Sequence, residues 1–543
     1  MEKETMVPMR DGVKLRTKVI KSSPGRFPVV FIRGYNTESW INSARFVEAG
    51  YACVGQATRG HIGSEGAHGM DNRFFDDAND GYDALTWMGS QPWCDGNIAM
   101  YGSSYYGATQ WLVAPKQHPN LKAIVPQNVN PDPWQRMYRD HGAVQLAHTA
   151  RRIYDYDSQG REAVERFGWW NWYRHLPLIS LDTVAGTPPN KLYNNYITHS
   201  TYNDFWKQIG TRDKLHKIRI PVYLMGGWYD NYPGVTLEYF QKLTNLGATD
   251  EIRVAISPTT HHRNQVVGDR DFGQNAEKDE IGLAIRWLDC LLKGENNGIQ
   301  NEPKVRIFVM GINQWRDEHQ WPLARTKFTR YYFHANGCKD GGLTPEAPGD
   351  EPSTIYLCDP EAPVPTLGGN HSAPTIPGVI RAGPVDQRPN ENRKDVLVFT
   401  SDPMTENREV TGPVVVKLYA SSTARDTDFI ARLIDVYPDG TAYNLTEGLI
   451  RARFRESIWE PPRLLVPGKI YEYTIDLLPT SNVFLKGHRI RVHLTSSNFP
   501  MWDRNPNTGH PQGVDAEITI AEQTIYHGRK YPSHIVLPII PQL

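Results

Sequence analysis

The sequence predicts an α/β chain of three parts: a catalytic α/β domain formed by residues 1–127 and 218–300, a helical cap inserted over 128–217, and a C-terminal β-sandwich over 301–543. Three observations carry that prediction. Apolar strand runs alternate with helical periodicity as far as residue 125 and again after 218, the pattern of a sheet with crossover helices. Between these two stretches lie polar, aromatic-rich helical segments with no buried strand among them. Beyond Asn301 the helical pattern gives way to short strands separated by Gly, Pro and Asn turns.

In chain order, Val13–Val19 alternates at period two, and Phe27–Ile32 is a continuous apolar run, as expected of a parallel strand buried on both faces. A helix over Ser39–Ala49 leads to a third strand at Tyr51–Gly55. Asn79-Asp80 stands where the N-cap of a helix starting at Gly81 belongs, and the Pro92–Gly96 turn leads on to the stretch Ile98–Gly107. The cap has helical segments at Trp134–Ile153, Glu162–Arg174 and Asn203–Ile209. The α/β pattern resumes with strands Val222–Met225 and Ile252–Ile256 and helices Val235–Leu246 and Ile281–Leu292. Strands at Val305–Met310, Arg330–Phe333, Val396–Phe399, Val414–Tyr419, Phe429–Val436 and Ile490–Leu494 then predict an antiparallel sandwich or jelly roll.

Composition narrows the function classes. Lys and Arg total 59 against 60 Asp and Glu, a net charge of -1 that removes the electrostatic case for nucleic acid or an anionic membrane surface as partner. No apolar run reaches the roughly 18 residues of a membrane span, and the first residues lack the apolar core of a signal peptide, so a soluble, cytoplasmic protein is expected. Cys53, Cys94, Cys290, Cys338 and Cys358 are scattered without Cys-x-x-Cys spacing and read as buried free thiols. The 15 Trp and 27 Tyr are enough to build both a large core and an aromatic-lined pocket.

The chemistry centres on Ile98–Gly107, where an apolar run stops in a Gly/Ser turn. A strand that turns sharply into a helix there would hold Ser104 at the apex of a nucleophile elbow, with Gly102 and Gly107 removing side chains where strand and helix approach. Taken alone, the segment reads more readily as a plain turn between buried elements. A serine hydroxyl needs a histidine base, and the base needs a carboxylate to orient it. Asp230 follows the strand Val222–Met225 in Gly226-Gly-Trp-Tyr-Asp230, and His261 follows Ile252–Ile256, both at the carboxyl edge of the expected sheet and in the order of an α/β-hydrolase. The Tyr105 backbone N–H is one oxyanion donor, and the Tyr35 phenol, after Phe27–Ile32, is either a second donor or a packed aromatic. Adjacent His261 and His262 diverge and lack a carboxylate ligand set, so neither a metal nor another cofactor is expected.

These motifs together resemble the bacterial cocaine esterase, X-Pro dipeptidyl-peptidase and alpha-amino-acid ester hydrolase family. The resemblance runs through Met9-Arg-Asp-Gly-Val-Lys-Leu15, Arg33-Gly-Tyr35, Thr58–Gly66, Gln91–Asn97, Gly102–Gly107, His175–Leu178, Gly227-Trp-Tyr-Asp230 and Trp502–Gly509. It implies an α/β-hydrolase domain with an inserted helical cap and a C-terminal jelly roll. It also implies Ser104 as nucleophile, Asp230 as acid, His261 as base, an oxyanion hole of Tyr35 and Tyr105, and a homo-oligomer. Ser103 has the wrong offset from Gly102 for the elbow. The alpha-amino-acid ester hydrolases carry carboxylates two and three residues after the acid, whereas this chain has Tyr232 and Pro233. The histidine loop reads Ser257-Pro-Thr-Thr-His261 where relatives commonly read Gly-Pro-Trp-Ser-His, and Ala57 replaces a usual Asp. The expected function is a serine hydrolase of a small ester, or of an amide, with a bulky apolar acyl group. Trp228, Tyr232, Tyr138 and Trp169 are the substrate-binding candidates, and Arg152, beside Arg151, is the candidate for an acidic acyl group. The alternatives are an X-Pro dipeptidyl-peptidase, an acylase or acyltransferase, and an inert protein that binds through its jelly roll.

Overall fold

The computed structural model of the chain describes residues 2–35, 43–67, 74–154, 158–261, 265–277, 279–336, 339–371 and 380–541. Its first sheet contains β1 (Glu2–Pro8), β2 (Lys14–Ile20), β3 (Phe27–Gly34), β4 (Ala52–Ala57), β5 (Cys94–Ser103) and β6 (Leu121–Gln127). The cap holds a two-stranded ladder, β7 (Arg139–Asp140) with β8 (Ala143–Val144), after which the first sheet resumes at β9 (Val222–Gly227) and β10 (Ile252–Ser257). A hairpin of β11 (Val266–Val267) and β12 (Arg270–Asp271) stands apart, and β13 (Val305–Val309) and β14 (Gln314–Glu318) complete the first sheet. Its order is β1-β2-β4-β3-β5-β6-β9-β10-β13-β14. The strands from β4 to β13 run parallel, and β1, β2 and β14 close the edges antiparallel.

The helices are α1 (Ser43–Glu48), α2 (Asp77–Gly89) and α3 (Tyr105–Val113), then α4 (Leu146–Tyr154), α5 (Ser158–Phe167), α6 (Trp169–Tyr173), α7 (Lys191–Thr198) and α8 (Asp204–Ile209) of the cap, then α9 (Pro233–Leu246) and α10 (Glu280–Lys293). Strand periodicity divides the core between the two faces of the sheet. Phe31, Met100, Ile124, Leu224 and Val254 pack under α2, α3 and α9, whereas Val30, Tyr101, Val125, Tyr223 and Ala255 pack under α1 and α10. With both faces covered, the continuous apolar runs of β3, β5 and β10 are accounted for.

The structure corrects the sequence reading in several places. Strand Val305–Val309, expected to open the sandwich, pairs parallel with β10 and carries β14 with it, so the α/β sheet extends to Glu318 rather than ending at residue 300. The cap is not purely helical. Arg136 and His141 adopt positive φ (63° and 43°), which ends any helix from Trp134, and the buried β7–β8 ladder forms instead, so α4 begins only at Leu146. Helix α7 went unread. Helix α2 starts at Asp77 with Asp76 as N-cap, so Asn79 and Asp80 lie in its first turn, and Asp77 and Asp80 point inward to Arg33. Of the expected Ser39–Ala49 helix the described part is α1. Cys53, Cys94 and Cys358 are buried free thiols, Cys290 is free and half-buried, and Cys338 lies outside the described residues.

The C-terminal jelly roll is built on an eleven-stranded sheet in which the long strands Arg408–Ser422 and Tyr471–Phe484 pair antiparallel. The Trp502–Gly509 motif joins it to the cap. Asp503 accepts the Val144 amide (2.6 Å) and pairs with Arg451 (3.0 Å), and the Trp502 indole donates to Asp140 (3.1 Å).

The root of the cap contains a buried acid. Asp132 is fully buried, and neither carboxylate oxygen has a well-formed hydrogen bond, although the Trp134 amide lies near. Burial pushes its carboxyl up to about 7, with Arg212 opposing. The folded chain therefore holds this proton more tightly than the unfolded one. The associated stability is complete below the unfolded value of about 4 and declines as pH rises to about 7. Asp132→Asn is expected to stabilise the protein, with a gain about 3 kcal/mol larger at pH 8 than at pH 5. Urea unfolding at the two pH values measures the difference, and equal gains would contradict it.

Candidate active site

Strand β5 ends at Ser103 and α3 begins at Tyr105, leaving Ser104 alone in the turn at φ 59° and ψ -124°. A side-chain-bearing residue pays strain to sit there, so the surroundings must hold it. The Ser104 amide donates to the Gln127 carbonyl of β6 (2.9 Å), and its carbonyl accepts from the Gly107 and Ala108 amides. The two glycines have steric causes. A Cβ on Gly102, at φ 148°, would lie 2.5 Å from the Tyr106 Cβ, and one on Gly107 would lie 2.7 Å from a Val129 methyl.

Asp230 and His261 stand on neighbouring loops at the same sheet edge. Asp230 is fully buried, and one of its oxygens accepts from His261 Nδ1 at 3.0 Å. The other accepts the Asn231 amide (2.7 Å). Backbone bonds stitch the two loops together: the Trp228 amide donates to the Ser257 carbonyl (2.8 Å) and the Tyr229 amide to the Thr259 carbonyl (3.0 Å). A Cβ on Gly227 would come within 2.2 Å of the Thr259 carbonyl oxygen, which explains the glycine there. The unusual Ser-Pro-Thr-Thr loop is locally satisfied, because the Ser257 and Thr259 hydroxyls bond each other at 2.7 Å beneath His261.

A buried charge network braces the other side of the serine. Arg33, fully buried, pairs with Asp77 (2.6 Å) and Asp80 (3.2 Å) and donates to Gln56 (3.1 Å). Asp77 in turn accepts the Tyr105 hydroxyl (2.8 Å) and the Phe74 amide (3.1 Å). Arg59 grips Asp80 with two bonds of 2.6 and 2.8 Å. Tyr35, at the end of β3, stacks on Tyr105 with ring centroids 5.4 Å apart. The Arg33-Gly-Tyr35 motif thus holds the residue after Ser104 in place.

Ser104 opens on a small cavity lined by Phe74, Ala108, Val129, Met137 and Tyr232 together with the polar Asn128 and His148. Tyr232, which lines this cavity, meets the His261 ring edge-on at 6.0 Å.

The structure sorts the substrate-binding candidates. Tyr232 lines the cavity. Tyr138 lies one layer back, stacked on Tyr196 at 3.7 Å and 5.5 Å from the His148 ring. Trp169 packs on Trp172 and Tyr173 in the core of the cap, away from the serine. Trp228 is buried away from the cavity lining, its indole donating to the Phe308 carbonyl of β13 (2.8 Å). The Arg152 side chain and His262 lie outside the described residues. Phe74, Asn128, Met137 and His148 were missed. Asn128 alone carried a signal, its place just past the carboxyl end of a parallel strand.

A serine held at positive φ between a buried parallel strand and a helix, with acid and histidine on later loops of the same edge, is the arrangement on which α/β-hydrolases are built. Residues 11–263 match the model of the X-Pro dipeptidyl-peptidase (S15) family, and residues 297–536 match that of the X-Pro dipeptidyl-peptidase C-terminal non-catalytic domain. The cocaine esterase of Rhodococcus sp. (strain MB1 Bresler) is 37% identical, with 98% of each chain covered. Among solved structures, an aminopeptidase from the marine sediment archaeon Thaumarchaeota archaeon superposes with a TM-score of 0.85 at 26% identity, covering 100% of this chain and 96% of its own. An alpha-amino acid ester hydrolase shares the fold, with a TM-score of 0.86 at 24% identity over 99% of this chain and 96% of its own. The chain belongs to this family of cocaine esterase and S15 X-Pro dipeptidyl-peptidases, and it is a serine hydrolase. No helix among the described residues is long and apolar enough to cross a membrane.

Proposed function

We propose that the protein hydrolyses esters of small molecules with a bulky apolar acyl group through an acyl-enzyme on Ser104. Asp230 accepts Nδ1–H of His261 and so fixes the tautomer that leaves Nε2 as the base toward Ser104. The Tyr105 amide and the Tyr35 phenol stabilise the oxyanion, the amide standing at the first turn of α3 where its dipole favours negative charge. Water, activated by the same histidine, then releases the acid. The observation that carries this reading is Tyr232: its ring lines the cavity on which the strained serine opens and meets the histidine of the Asp–His pair edge-on. Tyr232, in the place of a carboxylate that would bind a substrate ammonium, favours an uncharged acyl group over an amino-terminal peptide.

A fluorophosphonate probe at neutral pH, followed by peptide mapping, tests the assignment. The expected result is a single adduct on Ser104 that is absent from Ser104→Ala. An adduct on Ser103, or no labelling at all, as an inert binding protein would give, overturns it. On the active enzyme, kcat/KM for a benzoyl ester is expected to exceed that for the matching acetyl ester by about tenfold or more, the scale on which apolar pockets discriminate.

A further inference from the structure

The face of α3 that begins at the nucleophile does not end at the acyl cavity. Tyr105 and Ala108 line that cavity; Leu112, one turn further on, together with Pro115 and Lys116, lines a second and larger cleft of about 410 Å³. Phe74 borders both spaces. At 1.5 Å per residue, Leu112 stands about 12 Å along the helix from Ser104. Phe74 is held at this partition at φ 73°, a conformation a phenylalanine rarely adopts, with its amide bonded to Asp77 and its ring edge-on to Tyr105 at 5.7 Å.

The second cleft has a distinct chemistry. Its floor includes Phe75, Leu112 and Pro115, and Lys116, Lys214 and Lys217 stand around it. Among the described residues none of these three ammonium groups pairs with a carboxylate: Lys116 donates to the Asn79 side chain (3.1 Å) and Lys214 to the Gln208 and Gly210 carbonyls (3.0 and 2.9 Å). The acid acting on this group is Asp213, which accepts the Tyr202 hydroxyl. Burial, and next the like charge of Lys116, pull the half-buried Lys214 ammonium below the ordinary lysine range. Three cations converging over an apolar floor are relieved by an anion with an apolar body.

We propose that this cleft binds the carboxylate released by ester hydrolysis, an apolar or aromatic acid, as a product site reached past Phe74. The role as product site rests on the hydrolase reading; the binding itself does not. When water attacks the acyl carbon, the bond to Ser104 Oγ breaks, the oxygen regains its proton, and the acid formed ionises at neutral pH. The substrate ester is neutral and the product is not, so the lysines attract only what must leave.

Benzoate titrated calorimetrically into enzyme whose Ser104 has been capped by a phosphonate tests the site, with benzamide as the neutral control. The expected result is one benzoate per chain and no binding of benzamide. The triple variant Lys116→Gln, Lys214→Gln, Lys217→Gln should weaken benzoate by about tenfold or more, and Lys217→Gln alone by several-fold, which keeps the test readable should the triple variant fold poorly. Benzoate excluded by the phosphonate, binding untouched by the lysine changes, or equal binding of benzamide each overturns the proposal. Failure of the phosphonate to react at Ser104 would instead sink the hydrolase reading, and titration of the untreated lysine variants would still report on the cleft.

Discussion

Ser104→Ala is expected to lower kcat for an ester substrate by about 10⁵- to 10⁶-fold while leaving the circular dichroism spectrum unchanged. On the proposed mechanism, what is lost is the atom that would become acylated. Asp230→Asn should cost less, about 10⁴-fold, because it preserves the shape of the loop and removes only the acceptor that holds Nδ1–H of His261 at 3.0 Å. The double variant should be no worse than Ser104→Ala, since the acid acts only through a nucleophile that is gone. Steady-state kinetics on the three proteins would decide it: an Asp230→Asn enzyme with near-native kcat would remove Asp230 from the chemistry.

The largest effect on stability is expected at Arg33. Arg33→Ala leaves Asp77 without its guanidinium partner inside the protein, a change expected to cost about 3–5 kcal/mol. Asp80 is better protected, because Arg59 still holds it at 2.6 Å. Adding Asp77→Asn to Arg33→Ala should therefore recover part of the loss by neutralising the orphaned charge. Chemical unfolding of the single and double variants tests this ordering, and a double variant less stable than Arg33→Ala contradicts it. Activity should fall with stability in Arg33→Ala, because Asp77 also anchors the Tyr105 hydroxyl.

The elements legible in the sequence were those with a local cause. The apolar runs of β3, β5 and β10 announced a sheet covered on both faces, and Gly102 and Gly107 announced the elbow, because both signals arise from sterics within a few residues. Asp230 and His261 were found by their order after sheet strands, and the structure joins them. What stayed hidden depends on long-range packing. Val305–Val309 reads the same whether it opens a sandwich or extends a parallel sheet, since both bury it on two sides. Trp228 and Trp169 have the right chemistry for an acyl pocket, yet they face other neighbours, and residue type does not reveal the direction of a ring. Phe74 and Met137 entered the cavity from a loop and from the non-helical part of the cap, where no periodicity points to them.

The loop that carries Asp230 is held from outside its own sheet. The side-chain amide of Asn370 donates to the Trp228 carbonyl (2.6 Å) and the Tyr229 hydroxyl donates to the Asn444 carbonyl (3.2 Å), while a third bond, from Arg136 to the Asp476 carbonyl (2.8 Å), ties down the cap beside it. Asn370, Asn444 and Asp476 all belong to the C-terminal region. The chain therefore has no dispensable half. A gene shortened to its first 318 codons would encode Ser104, Asp230 and His261 and still lack the scaffold that holds the Asp230 loop. Recombination between relatives would succeed only when the jelly roll travels with the loop it supports, and an engineer seeking a smaller enzyme must first replace those three struts.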